Sequence, residues 1–164
     1  MASTRDHRTL APAIHVSTRR VRFTVAPLAV HDAAPPIGDT VATPAATADV
    51  ARAVIGSEIS ECLLAIFLDA RRRVTGYSEV ARGTINAAHI APRDVLIPAL
   101  HANAAAVIVA HNHPSNDSTP SDADRGATGS LRAAARLIGV PIVDHLIVTT
   151  DAVFSLRQDE GWED

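Results

Sequence analysis

The sequence predicts an α/β (α+β) layered domain, a central mixed β-sheet flanked by helices, and three observations predict it. Short apolar runs at residues 62–68 (CLLAIFL), 104–110 (AAAVIVA) and 142–148 (IVDHLIV) suit strands buried on both faces. Segments of helical character separate them, and alternating strands and helices pack as layers. The chain has 164 residues, the size of a single domain that buries its own core.

Taken in order, residues 1–43 read as an N-terminal arm, partly disordered. Five of the ten prolines fall within the first 44 residues, and only residues 21–25 (VRFTV) alternate in a way that would add an edge strand. Residues 44–164 read as one compact unit. Thr43 caps a helix that Pro44 opens, running to Ile55 with Gly56 as its stop. The strand at residues 62–68 is followed by a polar Arg71-Arg72-Arg73 turn and a more amphipathic strand at residues 74–81. Pro92 starts a helix to Leu100 or a little beyond, in which Pro98 forces a short or kinked form, because an interior proline costs about 3 kcal/mol. After the strand at residues 104–110, the longest helical pattern covers residues 121–137. Leu131, Ala134, Ala135 and Leu137 form its apolar side and Gly139 its end. The strand at residues 142–148 and a short one at residues 152–156 complete the pattern.

Composition limits the function classes. The net charge of −3 argues against a protein devoted to coating nucleic acid, which needs a basic surface. The chain has 31 alanines, 15 arginines and no lysine, so the 47% hydrophobic content overstates the core that Val, Ile and Leu must build. A single cysteine, Cys62, excludes an internal disulfide and any zinc site built on several thiolates. No apolar run reaches the roughly 18 residues that a membrane span needs, and residues 1–16 lack the apolar core of a secretory signal. No membrane partner and a cytoplasmic location are therefore expected.

Eight histidines in a chain with five aromatic residues need an explanation. Two of them, His111 and His113, follow a buried strand at i and i+2, and an extended backbone points both side chains the same way. Ser121 is suited to cap the long helix, with Asp124 at its third position, and the Pro-, Asn-, Asp- and Ser-rich turn between can bring Asp124 over the histidines. Two nitrogens and one carboxylate oxygen would leave the fourth position of a tetrahedral zinc open for water, the arrangement of a hydrolytic site.

His-x-His-Pro, six further residues and then Ser-x-x-Asp resemble the JAMM (JAB1/MPN+) metalloprotease motif. More widely, GTINAAHIAPRDVL, NAAAVIVAHNHPSNDSTPS and VDHLIV resemble segments of the RadC family in the same order. The similarity covers roughly residues 45 to 162 and implies a JAB/MPN-like fold. It also implies a zinc-dependent hydrolase of peptide or isopeptide bonds, acting on a protein or peptide substrate. On that resemblance His111, His113 and Asp124 are the Zn2+ ligands and Ser121 is a donor to the oxyanion. A glutamate upstream acts as general acid/base. Glu58, Glu61 and Glu79 are the candidates, and Glu61, which opens the ECLLAIFLD strand eight residues before Asp69, occupies the position of the family's glutamate.

Other features carry less. RadC proteins have a helix-hairpin-helix region that residues 1–43 do not resemble, which implies a short form with the catalytic domain alone. Together with the acidic balance, this weakens the alternative of a DNA repair or recombination module acting on nucleic acid. A non-catalytic MPN-type interaction scaffold is the other alternative; such scaffolds usually lack the ligand set, which here is complete. An HNH nuclease needs its residues spread along a ββα hairpin, and zinc deaminases need H-x-E with P-C-x-x-C. Asp144-His145 matches an Asp-His pair of the family and reads either as support for a metal ligand or as a buried structural pair, of which the structural reading is preferred. The Arg71–Arg73 triplet reads as a solvated turn, and His7, His15, His31 and His101 as surface residues. His89 acquires no role.

Overall fold

The computed structural model describes residue 41 and residues 43–83 and 91–162. The arm at residues 1–40, with its expected edge strand at 21–25, and the segment containing His89 lie outside the described residues. The element order is α1 (Pro44–Ile55), β1 (Cys62–Leu68), β2 (Val74–Arg82), α2 (Pro92–His101), β3 (Ala106–Asn112), α3 (Asp122–Ile138), β4 (Ile142–Val148), β5 (Val153–Ser155) and α4 (Leu156–Glu160). The five strands form one mixed sheet in the order β2-β1-β3-β4-β5. Only β3 and β4 run parallel, joined by the crossover helix α3; the other neighbours are antiparallel.

Strand alternation divides the core into two layers. One sheet face carries Leu64, Ile66, Leu68, Ile108, Ala110, Leu146 and Val148 against Val50, Ala51 and Ile55 of α1. The other carries Leu63, Ala65, Phe67, Val107 and Val109 against Val95 and Ala99 of α2 and Leu131 and Ala135 of α3. β1 and β4 are buried along their whole length, which is why both read as nearly continuous apolar runs.

Caps fall where the sequence puts them. The Thr43 hydroxyl accepts from the Ala46 N–H, and Ser121 caps α3 in a reciprocal pair with Asp124. Gly139 ends α3 at φ 72°, a left-handed conformation that glycine adopts without a Cβ penalty. Pro98 sits inside a ten-residue α2. No helix among the described residues is long and apolar enough to cross a membrane.

Three expectations need correction. The third strand begins at Ala106 rather than 104 and continues through His111 and Asn112, because pairing with β1 and β4 carries its ladder two residues further. The final strand is only Val153–Ser155; the Ser155 hydroxyl accepts from the Gln158 N–H and turns the chain into α4 at Leu156. Leu137 is 91% exposed. Six residues beyond Leu131, it lies about 120° from Leu131 around a helix of 3.6 residues per turn, off the face that Thr128, Leu131 and Ala135 bury. Leu131→Ala should therefore cost about 2–5 kcal/mol in urea unfolding. Leu137→Ala should change it by about 0.5 kcal/mol or less, and equal losses would contradict this helix orientation.

Candidate metal centre

Strand register assembles the site. Antiparallel pairing puts Leu63 opposite His111; Glu61 immediately precedes β1 and His113 immediately follows β3, so both flank that end of the pairing. α3 crosses that side and brings Ser121, Asp124 and Thr128 over the end of β3. Glu61, His113, Asp117, Ser121 and Asp124 line one open cavity of about 280 Å³. Its other lining residues are Ser115, Thr119 and Ala123.

The three residues read as metal ligands converge. His111 Nε2 lies 2.9 Å from His113 Nε2 and 3.6 Å from Asp124 Oδ1, and one ligand atom from each residue lies within 4.8 Å of the others. Ligands about 2.0–2.1 Å from a tetrahedral zinc are about 3.4 Å apart, so these spacings suit a small cation.

The hydrogen bonds around the cluster run in one direction, and this fixes what it presents. The Thr128 hydroxyl donates to the Asp124 carbonyl at 2.5 Å, since a carbonyl can only accept. Thr128 Oγ1 must then accept from His145 Nδ1, also at 2.5 Å, which leaves His145 Nε2 bare. That atom accepts from His111 Nδ1–H at 2.8 Å, so His111 Nε2 is bare in turn. His113 reaches the same state separately, because its Nδ1–H donates to the Asp117 carbonyl at 2.6 Å. Two imidazole lone pairs and a carboxylate oxygen thus face one another with no donor between them. A cation fits that gap. A proton on His111 would be costly there, because burial, with His145 beside it, pushes the His111 imidazole down to about 3. Burial likewise brings His145 down to about 4.

Asp124 is prepared to stay ionised. Burial alone would raise its pKa, but the Ser121 hydroxyl at 2.6 Å, the nearby His111 and the Ser121 N–H at 2.8 Å hold it below the ordinary carboxylate value. Both bonds land on Oδ2, leaving Oδ1 to face His111. The Ser121 proton is therefore engaged with Asp124 in this arrangement.

Of the three glutamates, Glu61 alone lines the cavity. Glu58 and Glu79 both pair with Arg82 at the end of β2, and Glu79 is held below its usual pKa chiefly by that guanidinium. The Glu61 carboxylate makes no hydrogen bond or ion pair among the described residues. Its backbone is anchored by Asn112, whose Oδ1 accepts the Cys62 N–H at 2.7 Å and whose Nδ2 donates to the Glu58 and Ser60 carbonyls at 3.2 and 3.1 Å.

Three contributors escaped the reading of the sequence. His145, for which the structural reading was preferred to ligand support, directly orients His111. Its neighbour Asp144 does hold structure, accepting from Ser155 at 2.8 Å and from the Arg157 N–H at 3.2 Å, and burial raises its pKa. Thr128, one helical turn after Asp124, could have been found from that spacing. Asn112 lies between the two histidines, and alternation sends it to the opposite face.

A model of the RadC-like JAB domain matches residues 41–162. The chain is 43% identical to a UPF0758 protein of Vibrio cholerae over 125 residues, which is 76% of this chain and 78% of that protein. It is 45% identical to a UPF0758 protein of Halorhodospira halophila over 121 residues, 74% of this chain and 54% of that one. With a Burkholderia thailandensis UPF0758 protein the identity is 43% over 122 residues, covering 46% of the relative. The chain thus spans about half the length of the latter two relatives.

The buried imidazoles make a pH prediction. Both folded-state values lie below the ordinary value near 6.5, so the unfolded chain takes up protons first and stability falls as pH drops from about 6.5 toward 4. Each histidine contributes a slope of up to about 1.4 kcal/mol per pH unit. Urea unfolding in chelator at pH 7.5, 6 and 5 measures this, and a midpoint unchanged by pH would rule out neutral burial.

Proposed function

The chain belongs to the RadC-like JAB domain family, and from that premise we propose that it is a zinc-dependent hydrolase of peptide or isopeptide bonds. The observation that carries the reading is the convergence of two bare imidazole nitrogens and Asp124 Oδ1 in a cavity that Glu61 also lines. His111, His113 and Asp124 would hold the metal. When bound, zinc supplies Lewis acidity and makes hydroxide available near neutral pH.

The chain's own residues do the rest. Glu61 takes a proton from the attacking water and delivers it to the leaving amine, a role suited to a carboxylate with no competing partner among the described residues. Asn112 keeps the backbone on either side of Glu61 fixed to the histidine strand. Ser121 holds Asp124 in the resting arrangement and, once that hydrogen bond is released, can donate to an oxygen that gains negative charge. Thr128 and His145 keep His111 in the tautomer that offers Nε2.

Elemental analysis of protein purified without chelator should find zinc in the wild type and a loss of it in His113→Ala; a wild type that cannot be loaded would overturn the reading. In a peptide-library screen, Glu61→Gln should retain the metal and lose cleavage by about 10²–10⁴-fold. Equal cleavage by that variant would move the acid/base role to another residue. Thr128→Val should weaken zinc affinity by about 10–100-fold in chelator competition, while Thr128→Ser should not. Equal affinities would show that the tautomer does not depend on this hydroxyl.

A further inference from the structure

The two histidines of the candidate metal centre are oriented by different means. His111 is buried, and its Nδ1–H is committed through His145 and Thr128 inside the protein. His113 follows the end of β3 and gives its Nδ1–H to the Asp117 carbonyl, in a loop whose residues 114–117 are all exposed. That carbonyl decides which nitrogen of His113 is bare. Without it, the other tautomer could direct Nε2–H at the His111 Nε2 lone pair 2.9 Å away, and the cluster would present one lone pair fewer.

Packing does not hold so exposed a loop, and its hydrogen bonds do. The Asn116 N–H closes it on the His113 carbonyl at 3.0 Å, and Asp117 Oδ1 accepts the Thr119 N–H at 2.9 Å just beyond. A further bond leaves the loop: Asn116 Oδ1 accepts the Thr150 N–H at 3.1 Å, from the turn between β4 and β5. Among the described residues, no other side chain of residues 114–117 is hydrogen-bonded outside the loop. Asn116 has φ 61°, a left-handed conformation that asparagine tolerates better than most residues.

The anchor on the far side is itself held. The Thr149 N–H donates to the Ala152 carbonyl at 3.0 Å, and the Ala152 N–H to Thr149 Oγ1 at 2.9 Å. Arg52 reaches this turn from α1, donating from Nε to the Thr149 carbonyl at 2.8 Å and from Nη2 to the Ala152 carbonyl at 2.7 Å. The Val148 carbonyl accepts the His113 N–H at 3.0 Å, so the end of β4 and the turn after it hold the loop at both His113 and Asn116. We propose that Asn116 is a positioning residue for His113, a role that rests on the zinc reading of this site. Its amide fixes the loop to the β4–β5 turn, keeps the Asp117 carbonyl on His113 Nδ1 and so leaves Nε2 bare for the metal. It acts through the loop backbone rather than on the metal.

Asn116→Gly retains the left-handed backbone and removes the amide, whereas Asn116→Asp keeps an acceptor at the same place. Two measurements separate positioning from general stability. In chelator at pH 7.5, imidazole nitrogen-15 NMR shifts should show His113 protonated at Nδ1 in the wild type and in Asn116→Asp, and divided between both nitrogens in Asn116→Gly. Chelator competition should give a zinc affinity about tenfold weaker for Asn116→Gly, with Asn116→Asp close to the wild type. The proposal fails if Asn116→Gly keeps the Nδ1–H tautomer or the wild-type affinity, or if Asn116→Asp loses as much as Asn116→Gly. It also fails if Asn116→Gly lowers the urea midpoint and moves neither reading, since that is a purely structural role. The tautomer is read without metal, so a wild type that takes up no zinc overturns the zinc reading while the NMR comparison still decides the role of Asn116.

Discussion

β3 pairs antiparallel with β1 on one side and parallel with β4 on the other, and the positions at the candidate metal centre follow from those two registers. The first sets Leu63 across from His111 and so brings the start of β1, next to Glu61, to the end of β3 that His113 follows. The second places His145 against Val109, two residues before His111 and on the same face, within reach of its Nδ1. A one-residue slip of either pairing would send one partner to the other side of the sheet. Such slips are opposed by the core itself, because β1 and β4 are buried on both faces and each side chain already has an assigned layer. Packing on the two faces therefore does for the site what no local turn could.

That scaffold carries a polar network in its interior. Buried His111, Asn112, Thr128, Asp144 and His145 all have hydrogen-bond partners, and no buried side-chain nitrogen or oxygen among the described residues lacks one. Unpaired, each would cost about 1–3 kcal/mol. Two parts of the network have different tasks. Asp144 joins β4 to Ser155 and the start of α4, away from the cluster. The series from the Asp124 carbonyl through Thr128 and His145 ends on His111 and returns to the residue where it began, so Asp124 supplies both a carboxylate oxygen and the acceptor that orders the imidazoles. Helix capping enters the same circuit, since the Ser121 cap holds the Asp124 carboxylate in place.

How much of this could be read in advance depended on whether the signal was local. The β1, β4 and α1 limits were legible because apolar length, Thr43, Pro44 and flanking charge act within a few residues. His111, His113 and Asp124 were legible because an i, i+2 spacing and a helix cap each fix a direction. Leu137 was misplaced because apolar character alone does not say which side of a helix is covered. α4 was missed because five residues carry too little periodicity, and the Ser155 cap was obscured by the apolar residues around it. His145 could not be separated from Asp144 by sequence, since adjacent residues on a strand point to opposite faces and only the packing of α3 decides which face meets the cluster.

The same helix that brings Asp124 to the candidate metal centre also lines, with Arg132 and Arg136, a second cavity near its other end. Asp124 and Thr128 stand in its first turns, and Arg132 and Arg136 in its last. Acidic residues at the N-terminus and basic ones at the C-terminus both complement the helix dipole, so this division of charge stabilises α3 by itself. From Asp124 to Arg136 the helix advances about 18 Å at 1.5 Å per residue, which is more than two Debye lengths at physiological salt. Charge at one end is therefore screened from the other through solvent, and a link between the two ends would have to pass as a rigid movement of α3 against the sheet. Such a movement would carry Asp124 and Thr128 together and would disturb the Thr128 hydrogen bond to His145.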